Sequence, residues 1–272
     1  MAKLSDAFAT ARAENRAALV GYLPAGFPSV AGGIEVLRAM VAGGVDIVEV
    51  GVPYSDPLMD GPVIQRAADA ALRGGTKPAD VIRTVEAVAA TGVPAVVMTY
   101  WNPVLQYGPE RYARDLAAAG GSGVITPDLI PDEAGEWIPV ARAADVDTIF
   151  LVAPSSTDAR VAATAGACRG FVYATSVMGV TGTRSEVGGA AAALVARTRA
   201  VTELPVAVGL GVSSGAQAAE VAAFADGVIV GSAFVRRVLD APDEAGGASA
   251  AADLAAELAS GVRRRSPAPT RD

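Results

Sequence analysis

The chain contains no histidine, and that absence excludes more chemistry than any other feature of its composition. His-based catalytic triads, imidazole general bases and His-ligated metals all go with it. A single cysteine, Cys168, has no intrachain partner for a disulfide and cannot build a cysteine metal cluster. Lysine occurs only at Lys3, near the start, and at Lys77, in a loop ahead of a helical pattern, so neither is placed as a Schiff-base lysine on a strand. No run of eighteen consecutive apolar residues occurs, which argues against a spanning helix and a membrane role. The opening "MAKLSDAFATARAENR" meets Asp6, Arg12 and Glu14 too early to hold the apolar core of a signal peptide, so a cytoplasmic protein is expected. The net charge of −7 points away from nucleic acid as a partner. Carboxylates, hydroxyls and backbone amides are what remain for chemistry, with no metal expected.

What is present is a repeating pattern. Hydrophobic residues make up 51% of the 272, enough for a sizeable core. Short β-branched runs recur as "AALVGYL", "VDIVEVG", "PAVVMTY", "GVIT", "DTIFLVA", "GFVYAT", "LPVAVG" and "DGVIVG", separated by Gly/Pro loops and helical patterns. Ser29 can cap one such helix, with Val30, Ile34, Leu37 and Val41 on one face and Gly43–Gly44 at its end. Val81, Ile82, Val85 and Val88 repeat the device before Gly92. Continuous apolar strands alternating with helices imply a parallel sheet covered by helices. An open doubly wound sheet would suit fewer strands, and eight regular units in this length predict an α/β fold, a (β/α)8 TIM barrel. "MAKLSDAFATARAE" reads as an extra N-terminal helix closing the barrel bottom. Residues 240–250 read as a loop before a last helix near 251–260. One domain over 1–262 is expected, with 263–272 a disordered tail.

In such barrels the active site lies at the carboxyl ends of the strands. In "VDIVEVGVPYSDPLMDG", alternation puts Val45, Ile47 and Glu49 on one face. If the first two fill barrel layers, Glu49 is the last inward residue, at the mouth; turned the other way it would meet a helix arginine. An inward Glu49 loses hydration, which raises its pKa and lets it both give and take protons near neutrality. Asp56 and Asp60 follow in a proline-broken loop. Late in the chain, "SVMGVTGTR", "GLGVSSG" and "GSAFVRR" each follow a strand with glycine-bearing turns. Backbone amides there, Ser232 at a helix start and Arg184 would suit a phosphate monoester.

These blocks carry a resemblance. "VEVGVPYSDPLMDGPVIQRA" resembles the signature of the tryptophan synthase α subunit family. "YLPAGFP", "MTYWNP", "PDLIPDEA", "YATSVMGVTG", "GLGVS" and "GVIVGSA" are similar to its other blocks, in its order, over about residues 4 to 260. The resemblance implies cleavage of indole-3-glycerol phosphate to indole and glyceraldehyde 3-phosphate. It implies two such chains on a dimer of a β subunit that holds pyridoxal phosphate and receives the indole, with no cofactor in this chain. By the same resemblance Glu49 is the general acid/base and Asp60 accepts the indole N1–H. Tyr173 would lie near Glu49, and Gly182, Gly211, Gly231 and Ser232 would bind phosphate. Thr181 would join Asp60 on loop closure, and Tyr22, Met98, Tyr100, Val124 and Phe150 would wall the indole pocket. Pro53, Asp56, Asn102 and Pro103 would face the β subunit.

The residues suit that chemistry on their own terms. A retro-aldol cleavage without a lysine imine or a metal needs a substrate that stabilises its own leaving carbon. An indole protonated at C3 does so, and two carboxylates then suffice. Another phosphate-binding barrel, an isomerase or synthase, would share the glycine loops but not the Glu49/Asp60 pair. A catalytically decayed activating subunit would not need both acids.

Overall fold

Most strands of the sheet are short runs rich in β-branched and small residues with side chains buried on both faces, the composition that parallel pairing under helices demands. The computed structural model describes residues 2–175 and 184–264. Nine strands pair in parallel: β1 (Ala18–Pro24), β2 (Ile47–Gly51), β3 (Ala95–Met98), β4 (Gly121–Ile125), β5 (Asp147–Ile149), β6 (Leu151–Val152), β7 (Val172–Thr175), β8 (Val206–Gly209) and β9 (Gly227–Val230). Their order is β5-β4-β3-β2-β1-β9-β8-β7-β6. The two ends of that series, β5 and β6, are one stretch of chain interrupted at Phe150, so the sheet comes round on itself as an eight-staved barrel. At the interruption the Phe150 N–H donates to the Cys168 sulfur at 3.4 Å.

Alternation sorts the core into two layers. Inside the barrel lie Val20, Ile47, Val96, Ile125, Ile149, Phe171, Ala207 and Ile229. Leu4 and Phe8 of α1 (Leu4–Ala13) join that inner group, with the Phe8 and Phe171 rings 5.5 Å apart. The first helix therefore closes the barrel floor as expected. Nothing in its own sequence caps it, since Lys3 makes no side-chain cap; burial of Leu4 and Phe8, at roughly 1.5–3 kcal/mol each, is what holds it there. Between staves and helices lies the outer layer, with Val48, Val50, Val97 and Phe150 against Leu37, Leu116, Trp137 and Phe234.

The helices follow the expected pattern with three departures. α2 (Val30–Ala42) starts where Ser29 accepts the Gly32 N–H at 3.0 Å and ends at Gly43, with Gly44 at φ +106°. Between β2 and β3 the sequence reading places one helix, whereas the chain forms α3 (Pro62–Arg73) and α4 (Pro78–Ala89). The buried face of α3 is Ala67, Ala68 and Ala71, too small to register as an apolar stripe. α5 (Trp101–Tyr107), α6 (Pro109–Ala118), α7 (Trp137–Ala143), α8 (Asp158–Ala167), α9 (Arg184–Arg199), α10 (Gly215–Ala222) and α11 (Ser232–Leu239) follow. The short α5 is the second departure. The third is α12 (Glu244–Val262), which begins within the expected loop: Asp243 caps it by accepting the Gly246 N–H at 2.7 Å. Its small residues suit close packing on α2, where a Cβ at Gly43 would come within 2.6 Å of the Ala252 carbonyl and the Ala255 methyl. Of the expected tail, 265–272 lies outside the described residues.

Candidate active site

Register delivers the first functional group. Tyr22 of β1, Glu49 of β2 and Val96 of β3 are neighbours across the sheet, and the layer below holds Val20 beside Ile47. Glu49 therefore points into the barrel above Ile47. Val45 is not the layer beneath them: it precedes β2 and packs in the outer layer, close to Gly21 beside Met40 and Phe234. Glu49 is 1% exposed, and its Oε2 has no hydrogen-bond partner among the described residues. Loss of hydration, reinforced by the nearby Asp60 carboxylate, pushes its pKa up to about 8.

Asp60 arrives from the irregular segment between β2 and α3. Its carbonyl accepts from Gln65 Nε2 at 2.7 Å, and its Oδ1 accepts from the Tyr100 hydroxyl at 3.3 Å. Burial raises the Asp60 pKa above the usual carboxylate value, and the Tyr100 hydrogen bond opposes that rise. Glu49 and Asp60 line one cavity of about 400 Å³ at the carboxyl ends of the strands.

Apolar walls of this cavity come from Met98, Leu151, Ile229 and the face of α3 carrying Val63 and Ile64. Tyr22 and Tyr173 line it as well, and burial beside the carboxyl groups raises both phenolic pKa values. Each phenol has a glycine opposite it. A Cβ at Gly51 would lie 2.3 Å from the Tyr22 hydroxyl, and one at Gly209 would lie 2.7 Å from that of Tyr173. Larger residues there would drive the phenols off position.

The far end of the cavity is built by Gly211, Gly231 and Ser232. Gly211 adopts φ +65°, which a side chain would strain. Gly231 caps α11 and Ser232 opens it, so the positive end of that helix faces the cavity. Arg236, one turn further along α11, also lines the cavity. The sequence reading missed it, although its spacing of four from Ser232 puts both on one helical face.

Not every expected wall residue takes that position. Phe150 and Val124 lie in the outer layer, because alternation turns their neighbours Leu151 and Ile125 inward. Leu151 supplies the wall expected of Phe150. Tyr100 reaches the cavity through Asp60 rather than lining it. Thr181 and Gly182 lie outside the described residues. Among the described residues, no cluster of three or more His, Cys, Asp or Glu side chains could hold a metal ion. No helix described is long and apolar enough to cross a membrane.

A (β/α)8 barrel with two carboxyl groups in an apolar cavity at the carboxyl ends of its strands is the frame of a barrel enzyme working by acid–base chemistry. Comparison with known proteins narrows this to a family. The family model described as tryptophan synthase alpha chain matches residues 8–263. The chain belongs to the tryptophan synthase alpha chain family, lyases of tryptophan biosynthesis. It is 64% identical over 266 residues to the tryptophan synthase alpha chain of Thermobifida fusca, covering 97% of this chain and 98% of the relative. The corresponding chain of Salinispora tropica is 62% identical, with 98% and 100% covered. Among solved structures, a chain of Mycobacterium tuberculosis tryptophan synthase superposes with a TM-score of 0.89 at 56% identity, covering 97% of this chain and 99% of the other. The alpha subunit from Legionella pneumophila gives 0.87 at 30% identity, with 96% and 98% covered.

Proposed function

We propose that the chain cleaves indole-3-glycerol phosphate to indole and glyceraldehyde 3-phosphate, with Glu49 and Asp60 as the acting groups. The observation that carries this reading is the buried Glu49 carboxyl, raised to about pKa 8 and sharing one apolar cavity with Asp60. At neutral pH Glu49 holds its proton and can deliver it to indole C3. That step breaks the aromaticity of the pyrrole ring and leaves positive charge at N1, where Asp60 accepts the N1–H hydrogen bond and balances the charge. Glu49, now a carboxylate, takes the proton of the adjacent carbinol hydroxyl. As the carbinol becomes an aldehyde, the C–C bond breaks and its electron pair returns to the ring. Indole leaves, and Glu49 is protonated again.

The phosphate end of the ester would sit at Gly211, Gly231 and Ser232, on the positive end of α11, with Thr181 and Gly182 added from the loop that the family resemblance implicates. Arg236 supplies a full positive charge on the same side, in a cavity that otherwise carries two acids. Arg236→Gln is expected to raise KM for the phosphate ester about tenfold with little change in kcat, since a charge holding a remote phosphate contributes alike to ground and transition states. An unchanged KM in steady-state indole release would remove Arg236 from the site.

The same reading supplies a partner. Three of the four exposed large apolar side chains identified among the described residues, Leu58, Leu105 and Ile130, lie on consecutive segments after β2, β3 and β4. This apolar rim, next to Pro53, Asp56, Asn102 and Pro103, would face a tryptophan synthase β subunit, two of these chains flanking a β dimer. Pyridoxal phosphate belongs, in this reading, to that partner, which would take indole directly, and both would work in the cytoplasm. The deciding experiment is indole release from indole-3-glycerol phosphate, with and without a β subunit. Indole should appear in both cases and faster with β; no indole in either would overturn the proposal.

A further inference from the structure

Asp60 sits in a segment with no regular secondary structure, beside Leu58, which is 80% exposed. A carboxylate that must meet one ring nitrogen cannot be left to such a loop, so something outside the loop has to hold it. The Tyr100 side chain is buried at the end of β3, and its hydroxyl makes two contacts to this segment. It accepts the Met59 N–H at 3.0 Å and reaches Asp60 Oδ1 at 3.3 Å. With one lone pair on the Met59 amide, its single proton is free to go to the carboxylate, which can only accept when ionised. Behind it, the Tyr54 ring packs against the Tyr100 ring at 5.3 Å, and the Tyr54 hydroxyl accepts from Asn102 Nδ2 at 3.0 Å. Tyr54 lies on the same loop as Asp60, and Asn102 on the same stave connection as Tyr100. The two loops are thus pinned together at both ends of the phenol pair.

We infer that Tyr100 is a positioning residue for Asp60, its hydroxyl fixing backbone and carboxylate together and the Tyr54–Asn102 contact bracing its ring. This deepens the proposed function, since it rests on Asp60 acting at N1 of the substrate. The hydroxyl is distinct from a wall of the indole pocket in what its removal does. Tyr100→Phe keeps the ring and its packing but takes away both contacts, so Asp60 loses direction and its ionised form loses a donor. The other titratable groups lining the cavity with Asp60 are Glu49 of β2, Tyr22 of β1, Tyr173 of β7 and Arg236 of α11. Of these, Glu49 and Tyr22 feel the Asp60 charge, whereas the Asp60 carboxyl itself responds to burial and to the Tyr100 hydrogen bond.

The test has two arms on the full chain. In the first, the Asp60 carboxyl is titrated by carbon-13 NMR in aspartate-labelled protein, its signal assigned by its loss in Asp60→Asn. Tyr100→Phe should raise that midpoint by about half to one pH unit, because a hydrogen bond to the charged form is lost. In the second, kcat for indole release should fall about tenfold with KM within twofold, because orientation and not ester binding is damaged. A packing role alone would move neither the midpoint nor the kcat/KM split. An unmoved Asp60 midpoint would overturn the inference whatever the activity. Absence of indole release from the wild-type chain would instead count against the proposed reaction, and the titration arm would still decide the placement of Asp60 by Tyr100.

Discussion

Replacing Glu49 with Gln is expected to lower indole release at least about a thousandfold, because the carboxyl proposed to give and take the proton is gone. The same substitution should stabilise the fold at alkaline pH. In the folded chain Glu49 keeps its proton up to about pH 8, against a reference value of 4.5 for an unburied glutamate. Below 4.5 both folded and unfolded chains hold the proton, and Glu49 imposes no pH-dependent cost. As pH rises from there toward 8 the unfolded chain releases it and the folded chain does not, so stability is lost across that window. Above 8 the loss is complete, on the order of 5 kcal/mol. Gln is neutral throughout and avoids it. Thermal unfolding followed at pH 5 and pH 8.5 should show the variant gaining roughly 6–12 °C on the wild type only at the higher pH. Retained indole release, or a wild type equally stable at both values relative to the variant, would contradict the burial-driven role of this carboxyl.

Asp60→Asn is expected to reduce kcat about a hundred- to a thousandfold, the scale seen when a group matched to charge in the transition state is removed. Asn can still accept a hydrogen bond from N1–H through its side-chain oxygen. What it lacks is the negative charge that, in the proposed reaction, balances the indoleninium formed when C3 is protonated. Ground-state indole carries no such charge, so KM should change less than about threefold while kcat falls. A comparable loss in KM would recast Asp60 as a binding group. Steady-state kinetics at saturating and limiting ester distinguish the two.

These two variants probe groups whose legibility in the sequence differed. Glu49 stands out because a carboxyl inside "VDIVEVG" is a local contradiction, and period-two alternation favours an inward side chain without excluding an outward one. The supporting layer was misassigned by one step: Val45 precedes the strand and packs outside, which alternation alone does not reveal because it does not mark where β2 begins. The resemblance puts Phe150 in the pocket wall, but the strand is interrupted at that residue and its ring packs in the outer layer, although "DTIFLVA" looks like one uninterrupted run. In the sequence Arg236 looks like any other helix arginine; only the placement of α11 across the cavity gives it a charge to meet. α3 is not legible in the sequence because its buried face is alanine, which leaves no apolar stripe.

By itself the sequence determined the eight-unit α/β barrel, its first helix as a floor plug, and the two acids with the glycine turns late in the chain. Those features are local: a two-residue alternation, a helical period and a glycine-bearing turn can each be read within a dozen residues. Only the tertiary structure decided that Glu49 is stripped of water, that Asp60 hangs from Tyr100 forty positions away, and that Tyr22 and Tyr173 fit because Gly51 and Gly209 yield the space. Hydration and hydrogen bonding depend on what closes over a group, and in a barrel the closing residues come from staves far apart along the chain.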